Sequence, residues 1–238
     1  MMRYTHSKIT NPGGRSHNED SAHILQFDGS LIAVVADGLG GEGGGEIASR
    51  TAVRATSEFI ERSPLFTTEN VDAAIKHAND SVINAQKSFP AMKTTVVLLY
   101  IGDALAVCGH LGDSRLYHLR GDEIIFQTKD HSVSQMAALV GEISQEDIRH
   151  HTDRNKVLRA LGAAGSAVPE SKVLSAQNGD GFLLCSDGFW ELVLEDEMVT
   201  DFVESQNAEQ WLKKMLAKVE SRLTAYGDNY SAITVMAV

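Results

Sequence analysis

Residues 94–119, TTVVLLYIGDALAVCGHLGDSRLYHL, decide the fold class. Apolar and β-branched runs at 94–101, 105–110 and 115–119 predict three successive strands. The reversal at Gly102-Asp103 is short, and glycine tolerates the positive φ that a tight turn requires. Because strands joined by such turns pair antiparallel, this stretch predicts an antiparallel sheet.

The rest of the chain extends this pattern with further strands and with amphipathic helices. Further strand-like runs lie at 22–27, 31–36, 124–127, 182–185 and 233–238. Helical periodicity appears at 46–62, 71–89 and 208–224, and Asn207 is suited to cap the last of these helices. Because strands cluster rather than alternate strictly with helices, the pattern predicts an α+β fold rather than a Rossmann type.

Composition and charge narrow the functional class. The chain has 238 residues, 43% of them hydrophobic, and a formal net charge of -11. Such a charge repels nucleic-acid phosphates, so a nucleic-acid partner is not expected. No apolar run reaches the ~20 residues that span a bilayer, and the first residues lack a secretory pattern, which predicts a cytoplasmic protein with no membrane partner. The length suits one domain over residues 1–238, and Cys108 and Cys185 lie in apolar runs as buried thiols.

Aspartates recur where predicted strands begin or end. Asp20 precedes one strand, and Asp37, Asp113 and Asp187 follow three others, while Asp228 lies shortly before the last strand. A carboxylate at the edge of a buried strand loses hydration unless a cation or hydrogen-bond donors replace the water. Convergence of these side chains on metal ions would supply that compensation.

The residues around these aspartates favour a hard cation. Glycines adjoin them, as Gly38 adjoins Asp37, and glycine lets the backbone approach an ion closely. Oxygen ligands without cysteine or an ordered histidine pair suit Mg²⁺ or Mn²⁺ better than zinc. A single Asp-Gly pair is more often an ordinary turn, but four strand ends with the same feature make that explanation much weaker.

Ten short motifs, taken in order, give the chain a family resemblance. They are RSHNED at 15–20, VADGLGG at 35–41, GEIAS at 45–49, TT at 94–95, GDSR at 112–115, DHS at 130–132, GEIS at 141–144, NKVLRALG at 155–162, CSDGFWE at 185–191 and DN at 228–229. In this order the chain resembles the metal-dependent serine/threonine phosphatases, also called PPM or type 2C, and in particular their compact bacterial members. The resemblance covers nearly the whole chain.

The resemblance implies a fold and a set of site residues. It implies a four-layer αββα sandwich of two antiparallel sheets flanked by helices. Asp37 would bridge two Mn²⁺ or Mg²⁺ ions, with the Gly38 carbonyl on one ion and Asp187 and Asp228 on the other. The resemblance further implies the following roles: water positioning for Asp20 with Glu19 nearby, a weaker third metal site for Asp113 with Asp187, support for Asn229 beside Asp228, and substrate phosphate binding for Arg15.

The implied reaction is hydrolysis of phosphoserine or phosphothreonine by a water that the metal ions activate. No covalent phosphoenzyme is needed. A guanidinium such as Arg15 offers a phosphate two parallel hydrogen bonds. The expected partners are phosphorylated proteins and a serine/threonine kinase whose products this enzyme reverses. Only 14 residues precede Arg15 and ten follow Asp228, which predicts a bare catalytic domain.

Several positions depart from the family pattern. Leu39 stands where many eukaryotic relatives have a histidine, Glu42 replaces a histidine common in bacterial relatives, and Lys93 replaces a glycine. The segment 140–153 resembles the family's mobile flap beside the active site, although its polarity also suits a solvated surface. His131 is interpreted as a residue that fixes local structure rather than as a proton donor.

Three alternatives remain open from the sequence. Besides the phosphatase described above, they are a non-catalytic phosphoprotein-binding regulator on the same fold, a phosphoserine phosphatase of a partner-switching system, and a purely structural protein. Loss of an aspartate or of Arg15 would favour the first, and neither loss occurs. A structural protein leaves the strand-end aspartates without a physical reason.

Overall fold

The computed structural model describes residues 2–40, 44–87, 89–163 and 167–238. Glu42, which departs from the family pattern, lies outside these residues. Among the described residues, no helix combines the length and apolar character that crossing a bilayer requires.

Two five-stranded antiparallel sheets form the centre of the molecule. The first sheet has the order β1-β12-β11-β8-β9, and the second has the order β10-β7-β6-β3-β2. The first sheet's strands are β1 (Tyr4–Asn11), β8 (Arg115–Arg120), β9 (Glu123–Gln127), β11 (Asp180–Cys185) and β12 (Tyr230–Ala237). The second sheet's strands are β2 (Ser21–Phe27), β3 (Ser30–Ala36), β6 (Val96–Ile101), β7 (Leu105–Leu111) and β10 (Glu170–Ser175). A separate pair joins β4 (Gly38–Leu39) to β5 (Lys93–Thr94).

Helices cover the outer faces of both sheets. The helices α1 (Gly44–Arg62) and α2 (Thr68–Ala85) pack on the second sheet, and α5 (Glu195–Val203) and α6 (Ala208–Arg222) pack on the first. Short elements complete the description: α3 (Val133–Leu139), a 3₁₀ helix (Glu146–His150) and α4 (Asp187–Trp190). The Asn207 side chain caps α6 by accepting the Gln210 N–H, as predicted.

Three apolar layers hold the sandwich together. Side chains from both sheets, including Leu31, Val35, Phe182 and Ile233, are fully buried between the sheets. The outer two layers lie between each sheet and its helices, and they bury Trp190 and Trp211 as core aromatics. This arrangement confirms the αββα sandwich that the family resemblance implied. The two cysteines are free and buried, also as expected.

Some predicted element bounds were wrong for identifiable reasons. The run at 94–101 is not one strand, because β5 and β6 are separated at Thr95, whose side chain enters the strand pairing. The predicted helix 71–89 ends at Ala85 and begins earlier, at Thr68, where Thr67 caps it. The strand β1 was missed because its sequence YTHSKITN is largely polar and contains no apolar run. It lies at an edge of the first sheet and is only partly buried.

Candidate metal and phosphate site

The aspartates that follow or precede strands meet in one cleft, where the two sheets end together. Asp37 follows β3, Asp113 follows β7, Asp187 begins α4 two residues beyond the end of β11, and Asp228 lies two residues before β12. We call this the carboxylate cleft. Its lining comprises Arg15, Ser16, His17, Glu19, Asp37, Gly38, Leu39, Gly40, Asp113, Asn155, Val157, Asp187, Asp228 and Asn229. Residues more than 200 positions apart therefore share one small site.

Electrostatics make this cleft unfavourable for carboxylates alone. Burial, and then the charges of Asp187, Asp20, Asp113 and Asp228, hold the pKa of Asp37 well above its ordinary value. The pKa of Asp187 is likewise held well above its usual range, by burial and then chiefly by Asp113. Because neighbouring like charges oppose each other's ionisation, the cleft has the electrostatic character of a cation site.

Asp20 lies beneath the cleft at the start of β2 and is buried. Its Oδ2 accepts a hydrogen bond of 2.7 Å from the Ser186 hydroxyl, and Ser186 in turn accepts the Ser231 N–H at 2.9 Å. Burial raises the pKa of Asp20 to about 6. Its other oxygen, Oδ1, is buried and has no hydrogen-bond partner among the described residues. A buried carboxylate oxygen without a partner fits a site that holds a cation or its water.

Asp113 is also buried, at the end of β7. Burial and then the neighbouring Asp130 raise its pKa to about 7, although Arg115 opposes that shift. Its backbone carbonyl accepts a 3.0 Å hydrogen bond from the Trp190 indole. Asp113 is therefore attached to the turn that carries Asp187.

The backbone at Gly38 leaves no room for a side chain. A Cβ there would lie 2.2 Å from the Gly45 carbonyl oxygen at the start of α1 and 2.5 Å from the Glu19 carbonyl oxygen. Gly38 thus brings its backbone to the wall of the carboxylate cleft. The set of carboxylate oxygens with a backbone carbonyl fits Mg²⁺ or Mn²⁺, which prefer oxygen ligands.

Glu19 and Asn229 organise the loop that carries Arg15. The Asn229 Oδ1 accepts the Glu19 N–H at 2.8 Å, and its Nδ2 donates to the carbonyls of Pro12 and His17, each at 2.9 Å. This amide therefore fastens the loop to the start of β12. The main effect of Asn229 is on the shape of the site.

Arg15 lies at the mouth of the carboxylate cleft. Its Nη2 is 3.1 Å from Oδ2 of Asp228, and more than half of its side chain is exposed. A guanidinium that is partly exposed and beside a cation site is suited to receive a phosphate. The structure thus brings Arg15 together with the predicted aspartates.

The structure also shows residues whose roles the sequence analysis missed. Arg149, within the predicted flap 140–153, is buried, donates a 2.7 Å hydrogen bond to the Trp190 carbonyl and pairs with Glu195. This residue attaches the 3₁₀ helix to the turn after Asp187. The hydroxyl groups of Thr94 and Thr95 contact the Asp37 backbone, and the Ser114 hydroxyl contacts that of Thr95. The TT and GDSR motifs were visible in the sequence, but their mutual contacts depend on strand register.

A second cluster of possible metal ligands joins His110, His131 and Glu170. The two rings are stacked, with centroids 4.7 Å apart and planes 6° from parallel. Lone pairs that lie in parallel ring planes do not converge on one ion, so we do not interpret this cluster as a metal site. The Nδ1 of His131 accepts the Gly112 N–H at 3.1 Å, and the His131 N–H donates to the Gly112 carbonyl. This geometry favours the structural interpretation of His131.

Comparison with known proteins adds a family match. The family described as protein phosphatase 2C matches residues 13–225. A relative named serine/threonine phosphatase stp, from Listeria innocua, is 36% identical over 193 residues, which are 77% of this chain and 77% of that protein.

Solved structures of bacterial phosphatases have the same fold. The serine/threonine phosphatase PstP/Ppp of Mycobacterium tuberculosis superposes on this chain with a TM-score of 0.85 at 25% identity. The superposition covers 99% of each of the two chains. The catalytic domain of PstP in complex with two manganese ions has a TM-score of 0.83 at 25% identity and covers both chains completely.

Proposed function

Because this chain belongs to the protein phosphatase 2C family and is a serine/threonine protein phosphatase, we propose that the carboxylate cleft is its active site. The proposed reaction is hydrolysis of phosphoserine or phosphothreonine in proteins. The observation that carries this proposal is that Asp37, Asp113, Asp187 and Asp228 line one cleft together with Arg15. Residues 1–238 are proposed to form a single catalytic domain.

The proposed metal ligands are the cleft carboxylates and one backbone carbonyl. Asp37 would be shared by two ions, with Gly38 on one ion and Asp187 and Asp228 on the other. The two manganese ions in the PstP complex support this stoichiometry. Asp113, beside Asp187, is the proposed ligand of a weaker third ion. Divalent ions, when bound, acidify a water molecule and offset phosphoryl charge.

The side chains of the cleft would then orient the reactants. The Arg15 guanidinium would hold the phosphoryl oxygens through parallel hydrogen bonds, which fixes phosphorus for in-line attack. Asp20, held by Ser186 and carrying one oxygen with no partner among the described residues, would orient water in the cleft. Glu19 and Asn229 would support this arrangement by fixing the loop between β1 and β2. Positioning and electrostatics therefore supply most of the proposed rate enhancement.

The proposed partners are phosphorylated proteins and the serine/threonine kinase that produces them. Compact relatives that share the fold are named as serine/threonine phosphatases, which supports a phosphoprotein substrate for this chain. We propose a cytoplasmic location, since a kinase acting on cytoplasmic proteins would generate the substrates there.

The direct test is hydrolysis of a phosphothreonine peptide by metal-stripped protein, before and after Mn²⁺ or Mg²⁺ is restored. We expect metal-dependent turnover in the wild type. The Asp187→Asn variant should lose roughly a thousandfold in kcat, because a lost metal ion removes several kcal/mol of transition-state stabilisation. Circular dichroism would verify that the variant remains folded.

Two results would contradict the proposal. Folded, metal-loaded wild type that hydrolyses no peptide in a phosphoserine and phosphothreonine panel would favour a non-catalytic phosphoprotein-binding role. Full activity in Asp187→Asn would remove this carboxylate from the site while leaving the family membership intact.

A further inference from the structure

Strand pairing is interrupted at Asp37, the residue proposed to bridge the two ions. The strands β3 and β6 pair up to Val35 opposite Val97, and β4 and β5 pair from Gly38 opposite Thr94. The two ladders have the same register, so Asp37 stands opposite Thr95 at the break. An interruption without a change of register indicates that the hydrogen bonding, rather than the alignment, differs here.

In the pair formed by Asp37 and Thr95, a side-chain hydroxyl replaces one backbone carbonyl as hydrogen-bond acceptor. The Thr95 N–H donates to the Asp37 carbonyl at 2.9 Å, as in a regular hydrogen-bonded pair. The Asp37 N–H, however, donates to Oγ1 of Thr95 at 2.9 Å instead of to the Thr95 carbonyl. The Thr94 hydroxyl also donates to the Asp37 carbonyl, at 2.8 Å. Hydroxyl groups therefore hold both polar groups of the Asp37 backbone.

The same Thr95 hydroxyl reaches the loop that carries Asp113. Its Oγ1 is 2.7 Å from Oγ of Ser114, and both side chains are buried. Gly112, on the other side of Asp113, has φ +116°, and a Cβ there would lie 2.6 Å from the Thr95 Cβ. Thr95 thus contacts Asp37 on one side and both neighbours of Asp113 on the other.

We propose that Thr95 is a positioning residue whose hydroxyl, inserted between β3 and β6 and bonded to Ser114, fixes the placement of Asp37 and Gly38 relative to Asp113. This inference rests on the proposed function, in which these residues bind the metal ions. With the hydroxyl in place, the Asp37 peptide keeps one orientation, and the Gly38 carbonyl that follows keeps its direction. The Ser114 bond joins the ligands of the two main ions to the ligand of the third.

Removal of the hydroxyl has a defined structural consequence. Valine has nearly the shape of threonine, but it leaves the partly buried Asp37 N–H without its acceptor. The peptide then either stays unsatisfied or rotates to bond the residue 95 carbonyl directly, closing the strand pair. Rotation moves Asp37, and an unsatisfied N–H leaves it less firmly held; displacement of about 1 Å at a reacting site is sufficient to cost roughly a hundredfold in rate.

The test measures the Mn²⁺ affinity of wild type and variants by isothermal titration calorimetry. We expect Thr95→Val to weaken Mn²⁺ binding by about 10- to 100-fold, the usual cost of losing a partner that orients a metal ligand. Thr95→Ser retains the hydroxyl and should bind Mn²⁺ within about threefold of wild type, within the usual scatter of such effects. Ser114→Ala should weaken binding less than Thr95→Val, since it leaves the Asp37 bond intact.

A matched control separates positioning from general loosening of the core. Thr128 is also buried, and its Oγ1 accepts the Leu116 N–H at 2.9 Å, away from Asp37. Thr128→Val should lose stability comparable to that lost by Thr95→Val, yet bind Mn²⁺ as wild type does. In a double-mutant cycle, the effects of Thr95→Val and Ser114→Ala on Mn²⁺ affinity should be non-additive, because they share one bond.

Distinct results would overturn this proposal and the proposed function. If Thr95→Val binds Mn²⁺ as wild type does, or if Thr128→Val weakens binding equally, the positioning role is wrong while the phosphatase site stands. If Thr95→Val does not fold, a Ser114→Ala variant with unchanged Mn²⁺ affinity still contradicts the role. Wild type that binds no Mn²⁺ would overturn the metal site itself, and this inference with it.

Discussion

Two carboxylate sites at opposite ends of β11 have opposite electrostatics. At the start of β11, Asp180 is fully buried, yet it receives hydrogen bonds of 2.8 and 2.9 Å from the Arg120 guanidinium, one of 3.0 Å from His118, and the Gln177 N–H. Burial acts to raise the pKa of Asp180, but these donors outweigh it and lower the pKa below its ordinary value. At the end of the same strand, Asp187 faces other carboxylates, and its pKa is raised.

The carboxylate at one end of β11 stabilises the fold, whereas the carboxylate at the other end is suited to a functional site. The Asp180 end satisfies its own charge with the protein's donors, which is how buried charges normally persist in folded proteins. The Asp187 end gathers several carboxylates, and Arg15, paired with Asp228 at the cleft mouth, does not prevent the rise in the pKa of Asp187. We therefore expect a bound cation to offset the repulsion at that end, where function tolerates a cost in folding stability.

Neutralising Asp180 or Asp187 in metal-free protein should give the largest expected difference, in the free energy of unfolding. Asp180→Asn should lower the free energy of unfolding by about 3 kcal/mol, since it removes charge-assisted hydrogen bonds to Arg120 and His118. Asp187→Asn should raise it by about 1 kcal/mol, a figure reduced for screening by cleft water, because it relieves repulsion among carboxylates. Urea unfolding in EDTA measures both values.

For metal binding, we expect Asp187→Asn to differ from wild type and Asp180→Asn to resemble it. Mn²⁺ should stabilise Asp180→Asn as it stabilises wild type, but should stabilise Asp187→Asn far less. A stability loss in metal-free Asp187→Asn as large as that in Asp180→Asn would show that both ends of β11 are structural, and the comparison would fail.

The arginines that pair with aspartates at the two sites allow a second comparison, with a smaller expected effect. The Arg15–Asp228 pair is largely exposed at the cleft mouth, whereas Arg120 binds a fully buried carboxylate. We expect Arg15→Ala to lower kcat/KM for a phosphopeptide about 100-fold, or roughly 2.7 kcal/mol, through lost phosphate binding. Its free energy of unfolding should change by less than about 1 kcal/mol, as is usual for exposed pairs.

Arg15→Lys provides the matched control, because it keeps the charge and loses the planar fork. It should recover part of kcat/KM, mainly through a lower KM than that of Arg15→Ala. Equal kcat/KM values for wild type and Arg15→Ala would show that the cleft binds phosphate without this arginine.

The aspartates were readable from the sequence because most of them lie at or near the end of a strong apolar run. Asp37 and Asp187 follow such runs, and strand ends of one sandwich meet at shared edges, so their convergence was predictable. The role of Thr95 was not, since it depends on a register that places residue 95 opposite residue 37. The Asp180 site was also missed, because Arg120 and His118 reach it only when β8 pairs with β11. Contacts fixed by non-local pairing leave no local signal in a single sequence.

The pH dependence of stability gives the smallest expected effect. Asp113 is buried, and its pKa is raised to about 7 in the folded protein, whereas an unfolded aspartate titrates near 3.9. A raised folded-state pKa means that the folded state holds the proton more tightly. The stabilising contribution is thus present below about pH 4 and is lost as pH rises towards about 7.

Other groups titrate over the same interval, so the informative quantity is a difference between proteins. Asp113→Asn removes this proton and keeps the side-chain shape. Without metal, wild type should lose stability relative to this variant as the pH rises. The difference in their unfolding free energies should change by roughly 1 to 2 kcal/mol in favour of the variant from pH 5 to pH 7.5. Saturating Mn²⁺ should reduce the widening, since metal binding requires deprotonated carboxylates. A gap independent of pH in EDTA would mean that Asp113 titrates normally and that neither burial nor Asp130 shifts its pKa.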